Sequence, residues 1–129
     1  VNTDLLRLLM DADYLPVLSP IAISEEFEPL NVDGDRTAAN IAGSLGADML
    51  ILLTNVEGLV IDGNIIRRLG VAEAKEKLPK IGPGMITKIH AATEAIELGA
   101  KEVVITLGTM PTPISSALAH NAGTVIQHE

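Results

Sequence analysis

No cysteine and no tryptophan occur in the chain, and phenylalanine and tyrosine appear once each. The missing thiols exclude disulfides, thiolate catalysis and Cys-based zinc sites, and a reducing cytoplasm is the expected compartment. The missing aromatics leave the core to Leu, Ile, Val, Ala and Met, an aliphatic set that suits a sheet covered by helices. Basic residues are scarce too: nine Lys and Arg against seventeen Asp and Glu leave a net charge of -8. Such a surface repels a phosphate backbone, so nucleic acid is not an expected partner and any phosphate site must be local. Asp13, Glu25 and similar charges interrupt every apolar run before it reaches the ~20 residues of a membrane span, so no membrane partner is expected. The chain opens at Val1 with no basic and apolar leader, and a start without methionine reads as a piece of a longer polypeptide.

What is present is apolar and periodic. At 129 residues and 47% hydrophobic, one domain with one core is expected. Asn2-Thr3-Asp4 caps a helix running to about Asp13, and Leu15 to Ile23 reads as a buried strand with an irregular end, broken by Pro16 and Pro20. Glu25 to Pro29 is a surface loop or a small hairpin. A helix of small residues from Thr37 stops at Gly46, and Met49 to Leu53 is an uninterrupted apolar strand. Asp62-Gly63-Asn64 turns a β-hairpin between Val60 and Ile66. A charged helix over Val71 to Leu78, a loop over Pro79 to Gly84 and a long helix from Met85 to Gly99 follow. A strand at Val103 to Ile105, a helix at Ile114 to His120 and a strand at Thr124 to Gln127 complete the chain. No internal repeat stands out. This alternation predicts an α/β domain: an open, mostly parallel sheet, helices on both faces, and a small β-hairpin. Ligands are then expected beyond the carboxyl ends of the strands, where the polar segments after Leu30, Leu53 and Leu107 should gather.

Four segments carry residues suited to chemistry. Ile81-Gly82-Pro83-Gly84-Met85 opens a helix, and glycines there let a phosphate reach free N–H groups at the positive end of the dipole. Lys88 follows in what reads as the first turn, where a cation is disfavoured by ~0.3–1 kcal/mol unless an anion lies against it. Asp33 and Asp35 precede a helix; spacing alone favours a structural reading in which one is the N-cap, and the alternative is a pair of acids that orients lysines or a nucleotide-bound Mg2+. Thr54-Asn55-Val56-Glu57-Gly58 leaves the end of an apolar strand, as a ligand loop or as a plain turn. His90, His120 and His128 share no metal-ligand spacing, so no protein-held metal is expected, and Ser115-Ser116 lacks the glycines of a nucleophile elbow. Neither G-x-x-x-x-G-K-[ST] nor G-x-G-x-x-G after the first strand is present.

Asn31-Val32-Asp33-Gly34-Asp35-Arg36-Thr37-Ala38-Ala39, Leu52-Leu53-Thr54-Asn55-Val56-Glu57-Gly58 and Gly84-Met85-Ile86-Thr87-Lys88 together resemble the ordered motifs of the acetylglutamate kinase group of the amino-acid kinase family. The nearest flavour is the archaeal kinase acting on carrier-linked 2-aminoadipate or glutamate. The resemblance covers the C-terminal, nucleotide-binding half of that family's subunit; residues 1–129 would be that one lobe, without the N-terminal substrate-binding lobe. It implies that Asn31 helps hold an acyl-amino-acid substrate, that Asp35 organises catalytic lysines and that Lys88 sits on the transferring phosphoryl. It implies a nucleotide site drawn from Thr54, Asn55, Gly58, Ile81, Gly82, Gly84, Met85 and Lys88, with ATP bringing Mg2+. It further implies a role in arginine or lysine biosynthesis, a homo-oligomeric full-length enzyme, a small carrier protein as a substrate-bearing partner, and an isolated lobe that is inactive. Asn55 departs from the Asp that relatives often carry. Glutamate 5-kinase, aspartokinase and uridylate kinase share a similar lobe, and a non-catalytic ligand-binding or assembly module is the alternative from another class.

Overall fold

The computed structural model describes residues 1–129. Asn2 accepts the Asp4 N–H at 3.1 Å and so caps α1 (Thr3–Asp11). The expected strand over Leu15 to Ile23 shrinks to β1 (Ile21–Ile23), which pairs antiparallel with β2 (Pro29–Asn31). It is not buried: Leu15 and Val17 are 87% and 90% exposed. Pro16 and Pro20 each remove a ladder donor, so the apolar run cannot enter the sheet. Asp33 accepts the Arg36 N–H at 2.8 Å and starts α2 (Gly34–Leu45), which Gly46 ends in the left-handed conformation.

The apolar run Met49–Thr54 forms β3, and the Asp62-Gly63 turn joins β4 (Val60–Ile61) to β5 (Asn64–Ile65). Next comes β6 (Arg68–Gly70), which hydrophobic pattern does not reveal because only Leu69 is buried. The charged helix is α3 (Val71–Lys77), continued by a single 3-10 turn over Leu78–Lys80. The long helix α4 (Pro83–Leu98) begins two residues earlier than expected, because Pro83 has the fixed φ and dispensable N–H suited to a first helical position. Lys88 is therefore the sixth helical residue, in the second turn and not the first. β7 (Glu102–Leu107), α5 (Pro113–Leu118) and β8 (Thr124–Gln127) follow. No helix is long and apolar enough to cross a membrane.

One sheet of four strands carries the fold, in the order β3-β7-β8-β6. The β3–β7 and β6–β8 pairs are parallel and β7–β8 is antiparallel, so the sheet is mostly parallel as expected. Alternation along the strands separates two cores. Leu52, Val103 and Ile105 face α2 and α4 with Ala39, Ile89, Ala92 and Ile96; Val104 and Val125 face the other way, onto Ala117 of α5.

The helices α2 and α4 lie side by side over the first face. Their seam is built from Ala and Gly, including Ala39, Ala42, Gly43, Ala91 and Ala95. A Cβ on Gly43 would overlap Leu98 Cβ and lie 3.1 Å from the Ala95 carbonyl oxygen, so this approach requires glycine. The sequence also hides a repeat. Leu45-Gly46-Ala47 and Leu98-Gly99-Ala100 are the same junction between a helix and a strand, and β3 pairs with β7 in the matching register, Met49 opposite Glu102. Polar contacts tie the two units together across the seam: Glu94 accepts Arg36 Nε at 3.1 Å, Arg36 Nη2 at 3.2 Å and Asn40 Nδ2 at 3.1 Å. The guanidinium holds the Glu94 carboxyl below its ordinary value, against the opposing pull of burial, and the carboxylate raises Arg36.

Two outcomes follow from this packing. Gly43→Ala should destabilise the protein by about 1–3 kcal/mol through overpacking, read as a lower denaturant midpoint at unchanged m-value. Glu94, whose pKa is depressed in the fold, stabilises at pH above its ordinary value of 4.5 and loses that effect as pH falls through the folded value. The Tm advantage of the wild type over Glu94→Gln should therefore be present at neutral pH and vanish under acid; an advantage that persists once the carboxyl is protonated would contradict the assignment.

Candidate functional site

The parallel pair β3 and β7 ends with Thr54 opposite Leu107, and the Gly108 N–H donates to the Thr54 carbonyl at 2.8 Å. The segments after Leu53 and Leu107 do gather here. Because α2 and α4 each precede the strand they pack on, their N-termini point to the same edge. Asp35 stands in the first turn of α2 and Lys88 in the second turn of α4. They meet: Lys88 Nζ donates to Asp35 Oδ2 at 2.9 Å and to Oδ1 at 3.1 Å, with side chains 18% and 27% exposed. Two residues separated by 53 positions in the chain thus form one partly shielded ion pair. Asp33 is consumed as the α2 cap, and of the two carboxylates it is Asp35 that reaches Lys88.

The loop ahead of α4 is open. Gly82 is the N-cap and makes no side-chain cap, its carbonyl accepting the Met85 and Ile86 N–H groups at 3.1 Å each. Nothing lies within 4 Å of a Cβ built on Gly82 or Gly84, so packing does not demand either glycine, and access to the backbone is the feature they provide. Ile81, by contrast, has its side chain in the main core and can offer a ligand only backbone atoms. Met85 is half-buried against that core.

The remaining expected residues are less drawn together. Thr54 Oγ1 lies 3.4 Å from Asn55 Oδ1, and Asn55 is exposed. Gly58 has a packing reason of its own: a Cβ there would lie 2.7 Å from Thr124 Oγ1. That fully buried hydroxyl accepts the Leu59 N–H at 2.8 Å and donates to the Ile66 carbonyl at 2.6 Å, pinning the hairpin to β8. Asn31 is exposed on β2 and makes no side-chain hydrogen bond to Asp35 or Lys88. Pattern reading missed Thr124, and it also missed Arg36, Asn40 and Glu94; no local spacing links the two halves of that cluster.

Open clefts lie elsewhere on the surface, none of them lined by Asp35. One of about 390 Å³ is lined by Val32, Asp33, Arg36, Thr37 and Asn40 together with Ile21. Another of about 350 Å³ lies between Leu18 to Pro20 and α2. A third, of about 170 Å³, lies at the end of β7 between Glu57, Arg67, Thr106 and Asn121. None of the three is lined by Lys88, whose pair with Asp35 stays partly exposed.

Known proteins resemble the chain closely. A protein of Nitrosopumilus maritimus, provisionally named a LysW-aminoadipate/LysW-glutamate kinase, is 52% identical over 129 residues, 100% of this chain and 48% of that protein. The LysW-aminoadipate/LysW-glutamate kinase of Sulfolobus acidocaldarius is 46% identical over 128 residues, 98% of this chain and 49% of the kinase. The chain thus spans about half the length of the curated relatives it matches. Among solved structures, N-acetylglutamate synthase from Neisseria gonorrhoeae, complexed with coenzyme A and L-arginine, superposes with a TM-score of 0.94 at 28% identity. The match covers all of this chain and 31% of the synthase. Carbamate kinase from Giardia lamblia bound to AMP-PNP shares the fold at a TM-score of 0.80 and 23% identity, over all of this chain and 45% of that one. The family model described as "Amino acid kinase family" matches residues 1–107. With its motif order, its mostly parallel sheet and this match over most of its length, the chain belongs to the amino acid kinase family.

Proposed function

We propose that this chain is the nucleotide-binding lobe of a cytoplasmic kinase that moves the γ-phosphoryl group of ATP onto the carboxylate of an acyl amino acid. Carrier-linked 2-aminoadipate or glutamate is the favoured substrate class and acetylglutamate the alternative, which places the reaction in lysine or arginine synthesis. The observation that carries the reading is the contact between Lys88 and Asp35 at the shared end of α2 and α4. The relatives at 46% and 52% identity support the carrier-linked class.

Phosphoryl transfer spreads negative charge over the moving group, and catalysis consists of balancing that charge and holding the reacting oxygens in line. Lys88 supplies the positive charge. Asp35 fixes the ammonium and does not act as a base, because the acceptor carboxylate is already ionised at pH 7. The exposed backbone around Gly82 and Gly84 takes the nucleotide phosphates at the α4 N-terminus, with Thr54, Asn55 and Gly58 on the neighbouring edge and Asn31 toward the acyl substrate. The products are ADP and an acyl phosphate.

Mg2+ does not fit a protein cage here. No three His, Asp or Glu side chains group within ligating reach, and both oxygens of Asp35 already accept from Lys88. The ion would come with the nucleotide, held by phosphate oxygens and water.

A second lobe is part of the proposal. Twelve of the eighteen exposed large apolar side chains fall within residues 1–30, Leu15, Val17 and Phe27 among them; apolar surface of that kind is usually covered in a working protein. The acyl pocket and the remaining phosphate grip belong to that lobe, and the full-length enzyme would assemble as a homo-oligomer. The likeness to the synthase favours a second reading, a ligand-binding module that retains the fold without kinase chemistry.

Lys88→Ala in the full-length polypeptide should lower kcat by about 10²–10³-fold, the cost of losing one preorganised charge-stabilising group, while Asp35→Asn lowers it less. Residues 1–129 alone should show no turnover in a coupled ADP-release assay with ATP and carrier-linked substrate. Titration with a non-hydrolysable ATP analogue separates the two readings: affinity unaffected by Lys88→Ala would favour the non-catalytic module.

A further inference from the structure

The kinase reading uses Asp35 and Lys88 and leaves idle the cluster on the other flank of the same helix pair. Asn40 Nδ2 donates to the Arg36 carbonyl at 2.9 Å as well as to Glu94, so Glu94 is gripped by two residues one turn apart on α2. The pair of contacts has opposite polarity: an α2 carboxylate on an α4 cation, and an α2 cation on an α4 carboxylate. At roughly 100° per residue, Lys88 and Glu94 stand about 120° apart around α4, and Asp35 stands about 100° from Arg36 and about 140° from Asn40 around α2. The two polar contacts therefore lie on opposite sides of the Ala and Gly seam.

That geometry has a mechanical meaning. Helices interlock through ridges and grooves of side chains, and a seam of Ala39, Ala42 and Gly43 against Ala91 and Ala95 offers shallow ridges. Such a seam lets the helices approach closely but restrains rotation about their axes weakly. A rotation of α4 that carried Lys88 away from Asp35 would have to carry Glu94 away from its two partners as well. The bidentate Arg36–Glu94 pair, planar and fork-shaped, resists that motion more than a single point contact would.

We propose that Glu94, held by Arg36 and Asn40, is a positioning residue that fixes the rotation of α4 against α2 and so keeps the Lys88 ammonium on Asp35. The inference rests on the kinase reading for its consequence in phosphoryl transfer, but the geometry it claims can be measured without any nucleotide.

The test is competitive lysine acetylation of the folded protein, quantified by mass spectrometry, with exposed Lys80 as the internal reference. Glu94→Gln should raise Lys88 labelling severalfold relative to Lys80, and Glu94→Asp, which keeps the carboxylate, should return it toward the wild-type ratio. The dissociation constant for an ATP analogue should weaken in step in Glu94→Gln and recover in Glu94→Asp. A Lys88 to Lys80 ratio unchanged by Glu94→Gln overturns the proposal. So does labelling that rises equally at Lys75, Lys77 and Lys88 in proportion to lost Tm, since that is what a merely structural role produces. If the ratio rises as expected while Lys88→Ala leaves nucleotide affinity intact, the positioning role stands and the kinase reading falls.

Discussion

Everything at the candidate site depends on the register in which one helix–strand unit lies beside its copy. Asp35 and Lys88 are separated by the same 53 positions as Asp48 and Lys101, which pair at the other end of the units. The β3–β7 ladder carries the same offset from Met49 opposite Glu102 to Thr54 opposite Leu107. A parallel ladder fixes that offset through its hydrogen bonds, because slipping one strand by one residue would turn either Leu52 or Ile105 out of the core. The helices inherit the register from the strands through the short turns at Gly46 and Gly99. A carboxylate and an ammonium far apart in the chain meet because the sheet beneath them has a single in-phase alignment.

Much of this was legible in residue pattern, for identifiable reasons. The apolar runs at Met49 to Leu53 and Val103 to Ile105 are bounded by glycine stops and polar loops, so strand type and order follow directly. Asp35 and Lys88 stand out as candidates because three short motifs occur in a fixed order, and the structure brings the two into contact. Residue pattern puts Lys88 in the first turn of α4, whereas Pro83 starts the helix early and puts the lysine in the second, where the dipole penalty is weaker. The local anomaly at Lys88 is thus smaller than the pattern suggests, and its contact with Asp35 is the feature that distinguishes it.

What stayed hidden was set by tertiary context. Arg68-Leu69-Gly70 carries one apolar residue and enters the sheet only because β8 offers a parallel edge. Leu15 to Ile23 looks more like a core strand than β6 does, yet prolines keep most of it out of any ladder and its side chains face outward. Gly58 read as a ligand-loop glycine; its immediate requirement is the approach of Thr124, a residue that no motif marks. The Arg36–Glu94–Asn40 cluster is invisible for the same reason as the repeat: residues that touch across a side-by-side packing lie far apart in the chain, and only the common offset betrays them.

The ion pair is also compatible with catalysis in a way that its geometry makes specific. An ammonium has three donors, and Asp35 occupies two with its two oxygens. A third is left over, so an anionic ligand such as the proposed phosphoryl group would be engaged without first breaking the pair. Had Lys88 been held by several acceptors, the approach of a phosphate would have required it to abandon them, and had it been unpaired, its position would have been left to a flexible four-carbon stem. In a chain of net charge -8, a cation anchored by one carboxylate with a donor in reserve is a means of presenting local positive charge at a defined point. In the proposed positioning role, the Arg36–Glu94–Asn40 cluster on the far flank of the seam would set the direction of that reserve donor, by fixing the rotation of α4.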